Sequence, residues 1–317
     1  MPYWFEPQRV ALEVGGRTLT IESGRLAKQA AGAAVVSYGE TVVLVTVCTD
    51  TPREGIDFFP LTVDFVEKFS AAGKIPGGFF KREGRLSDRE VLVSRFIDRS
   101  IRPLFADGFR DETQVIATVL SADPENPPDI PAFVGASAAL GLSDVPFLGP
   151  IAAVRIGRVA GEWVVNPSYA QIAESRVDLV VAGSREALVM VEGCAQEVPE
   201  AEILEALKNA HRAIVPLLDA QEDLRGRLGR AKQVPPARRE RAELGRRVRE
   251  RAEARIADAL RIPVKQERYA ALDAVEVEHL VELAACTAVG VGHEHALVAA
   301  GELVQLCVHS GRDPLGS

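Results

Sequence analysis

Strand-like runs crowd the first 222 residues and then stop, and that stop constrains the fold more than any other feature. Val10–Val14 and Arg17–Glu22 flank Gly15-Gly16, a pair that tolerates the positive φ angles of a tight hairpin. Thr41–Val47 (TVVLVTV) and Gln114–Leu120 (QVIATVL) are β-branched runs suited to buried strands, and Leu61–Phe65 alternates. Ile151–Ile156 with Trp163–Val165, and Val177–Ala182 with Ala187–Val191, predict two further strand pairs. Ala132–Leu142, rich in small residues, predicts a helix packed closely on a sheet. Glu200–Asp219 predicts an amphipathic helix with Ile203, Leu204, Leu207, Ala210 and Ile214 on its apolar side. Beyond that point Arg, Glu, Ala and Leu dominate Arg225–Arg261, broken only by Pro235-Pro236. A second helical block follows Pro263, marked by Leu272, Val275, Leu280 and Leu283. The expectation is a mixed α+β or α/β module over residues 1–222 and an all-helical module over 223–317, with the boundary near 220–240.

The most concentrated chemistry lies in GGFFKREGRLSDREVLVSRFIDRSIR, residues 77–102. Between Lys74 and Arg102 eight basic residues outnumber four acidic ones, inside a chain of formal net charge −8. An acidic chain that binds a polyanion does so through a local patch. Ser87-x-x-Glu90 is a capping box that starts a helix, and Pro103 stops it. On that helix Arg95, Arg99 and Arg102 share a stripe about 60° wide. Val93, Ile97 and Ile101 face the other way, toward a core. Three guanidinium groups on one ridge repel unless something anionic joins them, and Asp98 neutralises only part of that charge.

Ahead of the helix, glycines bracket Phe79, Phe80, Lys81 and Arg82, with Arg85 just beyond. Exposed phenylalanines stack on unpaired bases, and adjacent cations hold phosphates. Two readings of these residue types stand side by side. One is a site for single-stranded RNA. The other is a subunit interface plugged by the phenylalanines, with the arginines salt-bridged elsewhere.

Cys48, Cys194, Cys286 and Cys307 form no C-x-x-C pair and sit among apolar residues, so buried thiols are expected. His293-Glu294-His295 lacks the spacing that sets two ligands on one helix face. The N-terminus has no basic stretch leading into an apolar run. No apolar segment approaches the ~20 residues of a membrane span. A cytoplasmic protein is expected.

The segment GGFFKREGRLSDREVLVSRFIDRSIRPLF resembles the polynucleotide phosphorylase family, in its first RNase PH-like core. Thr41–Cys48, Pro60–Phe65, SADPENPPDIPAFVGASAALGLSDVPFLGPIAAVRIG (121–157) and MVEGCAQEVPE (190–200) resemble the same core in the same order. The resemblance covers most of residues 5–220 and, less specifically, the all-α domain that follows. It implies an RNase PH core fold, a mixed split sheet packed with helices, in two parts at about 10–143 and 147–215. It implies a ring-shaped homotrimer and phosphorolysis of single-stranded RNA from the 3′ end, with inorganic phosphate as co-substrate and Mg²⁺ as the usual metal. It implies a pore-lining role for Phe79, Phe80, Lys81 and Arg82, and places on the RNA path Arg85, Arg95, Arg99 and Arg102. Lys81 stands where arginine is common, which implies a weaker contact there.

One departure shapes the expectation about chemistry. The family's catalytic carboxylates and lysine belong to a second core, and the corresponding stretch here, VEGCAQEV (191–198), carries only Glu192 and Glu197. Gly311-Arg312-Asp313 resembles the opening of a second core, so a truncated or divergent C-terminal end is expected. No catalytic residue and no metal ligand is therefore expected in this chain. Mg²⁺ would be bound mainly by a second core, and a separate second-core chain or an RNA-degradation complex is a possible partner. The alternative is a non-catalytic RNA-binding, trimer-forming subunit. A third resemblance, of GASAALGLS (135–143) to the phosphate loop of GHMP small-molecule kinases, lacks that loop's dense glycine-serine run and fits a packed helix better.

Overall fold

The computed structural model describes residues 6–52, 58–78, 83–235 and 242–287. They divide into two compact units, residues 1–237 and 238–317.

The first unit is built on two sheets. The larger contains β1 (Gln8–Val14), β2 (Arg17–Ser23), β3 (Gly32–Tyr38), β4 (Thr41–Asp50), β5 (Leu61–Val66) and β6 (Glu112–Ser121), in the order β1-β2-β3-β4-β6-β5. All neighbours are antiparallel except β5, which runs parallel to β6. The β1–β2 turn falls on Gly15 and Gly16, at φ +57° and +76°. Side chains at both positions would strain the backbone. The smaller sheet contains β7 (Ala152–Val159), β8 (Glu162–Val165), β9 (Val177–Gly183) and β10 (Leu188–Ala195), all antiparallel, in the order β10-β9-β7-β8.

Helices fill the space around these sheets. α1 (Asp88–Ile101) packs on β5, and α2 (Asp129–Leu142) packs on β3 and β4. α2 is buried along nearly its whole length, which its run of small residues permits. A Cβ on Gly135 would stand 2.5 Å from the Val45 Cγ2 methyl of β4, so the helix sits as close to the sheet as glycine allows. This buried helix cannot serve as a phosphate loop. α3 (Tyr169–Glu174) follows β8. α4 (Glu200–Leu228) runs beyond the expected Asp219 and buries Ala210, Ile214, Leu217 and Leu218. Leu204, expected on the apolar side, is exposed.

A partly buried ion cluster ties α2 to the smaller sheet. Arg155 of β7 reaches both oxygens of Asp178 on β9, each at 2.9 Å, and also Asp129 at the start of α2. After α4 the chain straps onto the end of α2, where Lys232 Nζ donates to the carbonyls of Leu140, Gly141 and Ser143 at 2.7, 3.0 and 2.7 Å.

The thiols depart from expectation. Cys48 and Cys194 are exposed. Cys48 follows Val47 where the buried alternation of β4 ends, and Cys194 lies on β10, an edge strand whose last residues are uncovered. Cys307, His293 and His295 lie outside the described residues.

The second unit contains α5 (Ala242–Leu260) and α6 (Lys265–Thr287). Ala252 and Ile256 of α5 meet Leu272 and Val275 of α6 in a small apolar contact of their own. No helix among the described residues is long and apolar enough to cross a membrane.

Candidate nucleic-acid interface

α1 begins where the sequence says it should. The Ser87 hydroxyl accepts the Glu90 backbone N–H at 3.3 Å, and the Glu90 carboxylate accepts the Ser87 N–H at 2.6 Å. This reciprocal pair satisfies two of the donors that a helix start leaves open. Glu90 also accepts the backbone N–H of Glu67 at 2.8 Å, which pins α1 to the end of β5. Burial raises the Glu90 pKa, but the hydrogen bonds from Glu67 and Ser87, with Arg89 alongside, outweigh it and hold the carboxyl below its usual range.

Facing is then set by helix geometry. Val93, Phe96, Ile97 and Ile101 are buried, with the Phe96 ring stacked on Phe133 at 5.0 Å between centroids. The opposite ridge carries the arginines, and their surroundings differ. Arg95 is exposed and makes no ion pair with any described residue. Arg99 stands 3.7 Å from Glu192 on β10. Arg102 is fully engaged, with bonds to Asp98 at 3.0 and 2.6 Å, to the Phe59 carbonyl at 3.3 Å and to the Leu61 carbonyl at 3.1 Å. Asp98 and Glu192 thus relieve the repulsion along the ridge at two of its three guanidinium groups. Arg85, before the cap, is exposed and lines a groove beside the helix start.

Phe79, Phe80, Lys81 and Arg82 lie outside the described residues. The chain enters that stretch from Gly78, at φ +76°, and leaves it at Glu83.

Two residues near the cap were not singled out in the sequence. Arg89 hydrogen-bonds the Tyr169 hydroxyl, lies over the Tyr169 ring at 5.4 Å and stands 3.7 Å from Glu67. Tyr169 opens α3, whose start repeats the capping-box pattern, Ser168-x-x-Gln171. That pattern was readable and would have marked the helix. Phe69 is the other, half-exposed in a 3₁₀ turn, Phe69–Ala72, at the groove's far wall.

The stretch 191–198 shows no catalytic pairing. Glu192 faces Arg99, and Glu197 follows β10 in a left-handed conformation, φ +50°. Among the described residues no three Asp, Glu, His or Cys side chains gather where a metal ion could sit.

Family models agree with this architecture. One described as 3′ exoribonuclease family, domain 1, matches residues 15–146, and its domain 2 counterpart matches 149–213. A third, described as polyribonucleotide nucleotidyltransferase, RNA binding domain, matches 243–293. Proteins named polyribonucleotide nucleotidyltransferase are similar throughout the aligned region. That of Geotalea uraniireducens is 53% identical over 277 residues, and that of Geobacter sulfurreducens 54% over 276. In both cases the alignment covers 87% of this chain and 40% of the relative, so the chain spans well under half the length of the relatives it matches. Among solved structures, rice (Oryza sativa) Rrp46 is similar in fold, with a TM-score of 0.52 at 15% identity, over 68% of this chain and 94% of that one.

Proposed function

The chain belongs to the 3′ exoribonuclease family, among its polyribonucleotide nucleotidyltransferase members, and on that premise we propose that it is the RNA-guiding first core of a phosphorolytic 3′-to-5′ exoribonuclease. Its substrate on this reading is single-stranded RNA, in mRNA turnover in the cytoplasm. Inorganic phosphate attacks the terminal phosphodiester, the shortened chain leaves through its 3′ oxygen, and a nucleoside diphosphate is released. The observation that carries the proposal is the α1 ridge. Arg95 and Arg85 stand exposed and unpaired with described residues, while Glu67, Glu90 and Asp98 are bound to protein groups. Such cations bind phosphates without reading sequence.

Within this chain the proposed work is binding and positioning. Phe79, Phe80, Lys81 and Arg82 admit the strand, Arg85, Arg95 and Arg99 hold its backbone, and Arg102 braces the helix that presents them. The described residues do not fit a magnesium site. Self-association, as a homotrimer or with a separate second-core chain or RNA-degradation complex, belongs to the same proposal. It is supported by the uncovered edge of β10 and by the exposed Val91 and Leu92 on α1.

A second reading is a non-catalytic RNA-binding subunit, favoured by Glu192 facing Arg99 rather than a second carboxylate. The two separate on one assay, in which the purified chain is mixed with poly(A), phosphate and Mg²⁺ and ADP release is followed. We expect RNA binding with ADP release at background until a second core is supplied. Release by the chain alone would sink the non-catalytic reading, and failure to retain poly(A) would sink both.

A further inference from the structure

We propose that Ser94 is a positioning residue: its hydroxyl, between Glu90 and Arg102 on one stripe of α1, sets the rotation of that helix against β5 and so aims Arg95. The proposal rests on the reading above, in which Arg95 holds RNA, and adds a residue that touches no RNA itself.

The need for such a residue begins at the sheet edge. β5 is the last strand of the larger sheet, and its outer side faces no strand among the described residues. The N–H and C=O groups of an open edge must find partners elsewhere. α1 supplies them. Glu90 accepts the N–H of Glu67 at 2.8 Å, the Ser94 Oγ accepts the N–H of Phe65 at 2.8 Å, and Arg102 donates to the carbonyl of Leu61 at 3.1 Å. The helix residues are spaced in multiples of four and the strand residues in multiples of two. Four helical residues rise about 6 Å and two strand residues about 6.6 Å, so the two series stay in step as helix and strand run in opposite directions. Asp98, the remaining place in the helix series, holds Arg102 instead.

Ser94 is the middle clip of the three, and it is buried, 7% exposed. Its one proton goes to the Glu90 carbonyl at 2.8 Å, which leaves the oxygen to accept from Phe65. Glu90 and Arg102 have long side chains that can follow a turning helix. A serine oxygen lies one bond beyond Cβ and cannot follow, so it fixes a rotation that the other two only permit. Arg95 is the next residue, about 100° round the helix. At the side-chain surface of a helix, a turn of about 20° shifts a group by about 2 Å. That is enough to part a guanidinium from a phosphate held at hydrogen-bond distance. Helix formation itself gives no reason for a serine here, because alanine has the higher propensity and a hydroxyl bonded back to the i−4 carbonyl weakens a helix slightly.

The test measures binding of a labelled oligoadenylate to the full chain across a salt series, below the melting range of every variant. Ser94→Ala should keep the helix, speed hydrogen exchange at the Phe65 N–H and weaken binding severalfold. It should also lower the slope of log affinity against log salt by about 0.7, one single-strand phosphate contact. Ser94→Cys, close in size but a weak acceptor, should behave alike, and Ser94→Thr, which keeps the hydroxyl, should restore affinity and slope. The double variant separates aim from general loosening. In an Arg95→Ala background, Ser94→Ala should cost nothing further, whereas a merely structural serine would cost the same in both backgrounds. Unchanged affinity and slope in Ser94→Ala, or equal losses in the two backgrounds, would overturn the inference. If Arg95→Ala weakens binding and Ser94→Ala does not, the inference falls and the proposed function stands. If neither weakens it, the ridge reading falls and takes the inference with it.

Discussion

Arg102 and Arg95 stand on the same ridge of α1 but do different work. The Arg102 guanidinium is bound to Asp98 and to two carbonyls at the start of β5, so it joins helix to sheet. Arg102→Ala should cost about 1 kcal/mol of stability, a modest figure because the pair is partly exposed. Urea denaturation measures it, and an unchanged midpoint would refute the bracing role. Glu90 carries a pH signature. Its carboxyl is held below the usual 4.5 by hydrogen bonds that outweigh burial, so the stability it contributes is full above that value. That contribution is lost as pH falls through the lower, folded-state value. Glu90→Gln should therefore be less stable than wild type at neutral pH, and the gap should close as pH falls below the usual carboxylate range. A gap that widens on acidification would contradict the assignment.

At the scale of elements, α1 was readable almost entirely from its sequence. A capping box, a proline stop and a three-to-four-residue apolar spacing are local signals, and the structure has α1 at Asp88–Ile101 with Val93, Ile97 and Ile101 buried. Most strands were readable for a similar reason, since β-branched runs mark them. β3, Gly32–Tyr38, was missed because Gly-Ala-Ala opens it and weakens the strand signal, although alternate residues are buried. The tie of Arg102 to the sheet was not readable, because its carbonyl acceptors Phe59 and Leu61 lie more than forty residues away in the chain, whereas its pairing with Asp98 is local. Likewise the exposure of Cys48 and Cys194 depends on which layers cover a strand, which residue type does not reveal. The closeness of α2 to β4 was anticipated by its small residues and gives a sharp prediction. Gly135→Ala gains helix propensity, but its Cβ would meet the stiff Val45 side chain at 2.5 Å. Overpacking should win, with a net loss of about 1–2 kcal/mol. A stabilised variant in a thermal melt would show that the sheet gives way.

Across the whole molecule, a formal charge of −8 coexists with a cationic segment that carries the proposed RNA contacts. The second unit is the competing location, because the family model matching 243–293 is described as an RNA binding domain. Its arginines alternate with glutamates, and Arg246 pairs with Glu250 at 3.2 Å, which favours an internally balanced surface. Contacts at residues 79–95 and contacts at 246–247 therefore predict different mutants. The deciding measurement is filter binding of single-stranded RNA across a salt series. It compares wild type, a Lys81→Ala, Arg82→Ala, Arg95→Ala variant, and an Arg246→Glu, Arg247→Glu variant. The account predicts that the first variant loses most of the affinity and about 2 units of salt slope, one contact for each cation removed, while the second stays near wild type. Equal losses in the two, or a larger loss at Arg246 and Arg247, would contradict it.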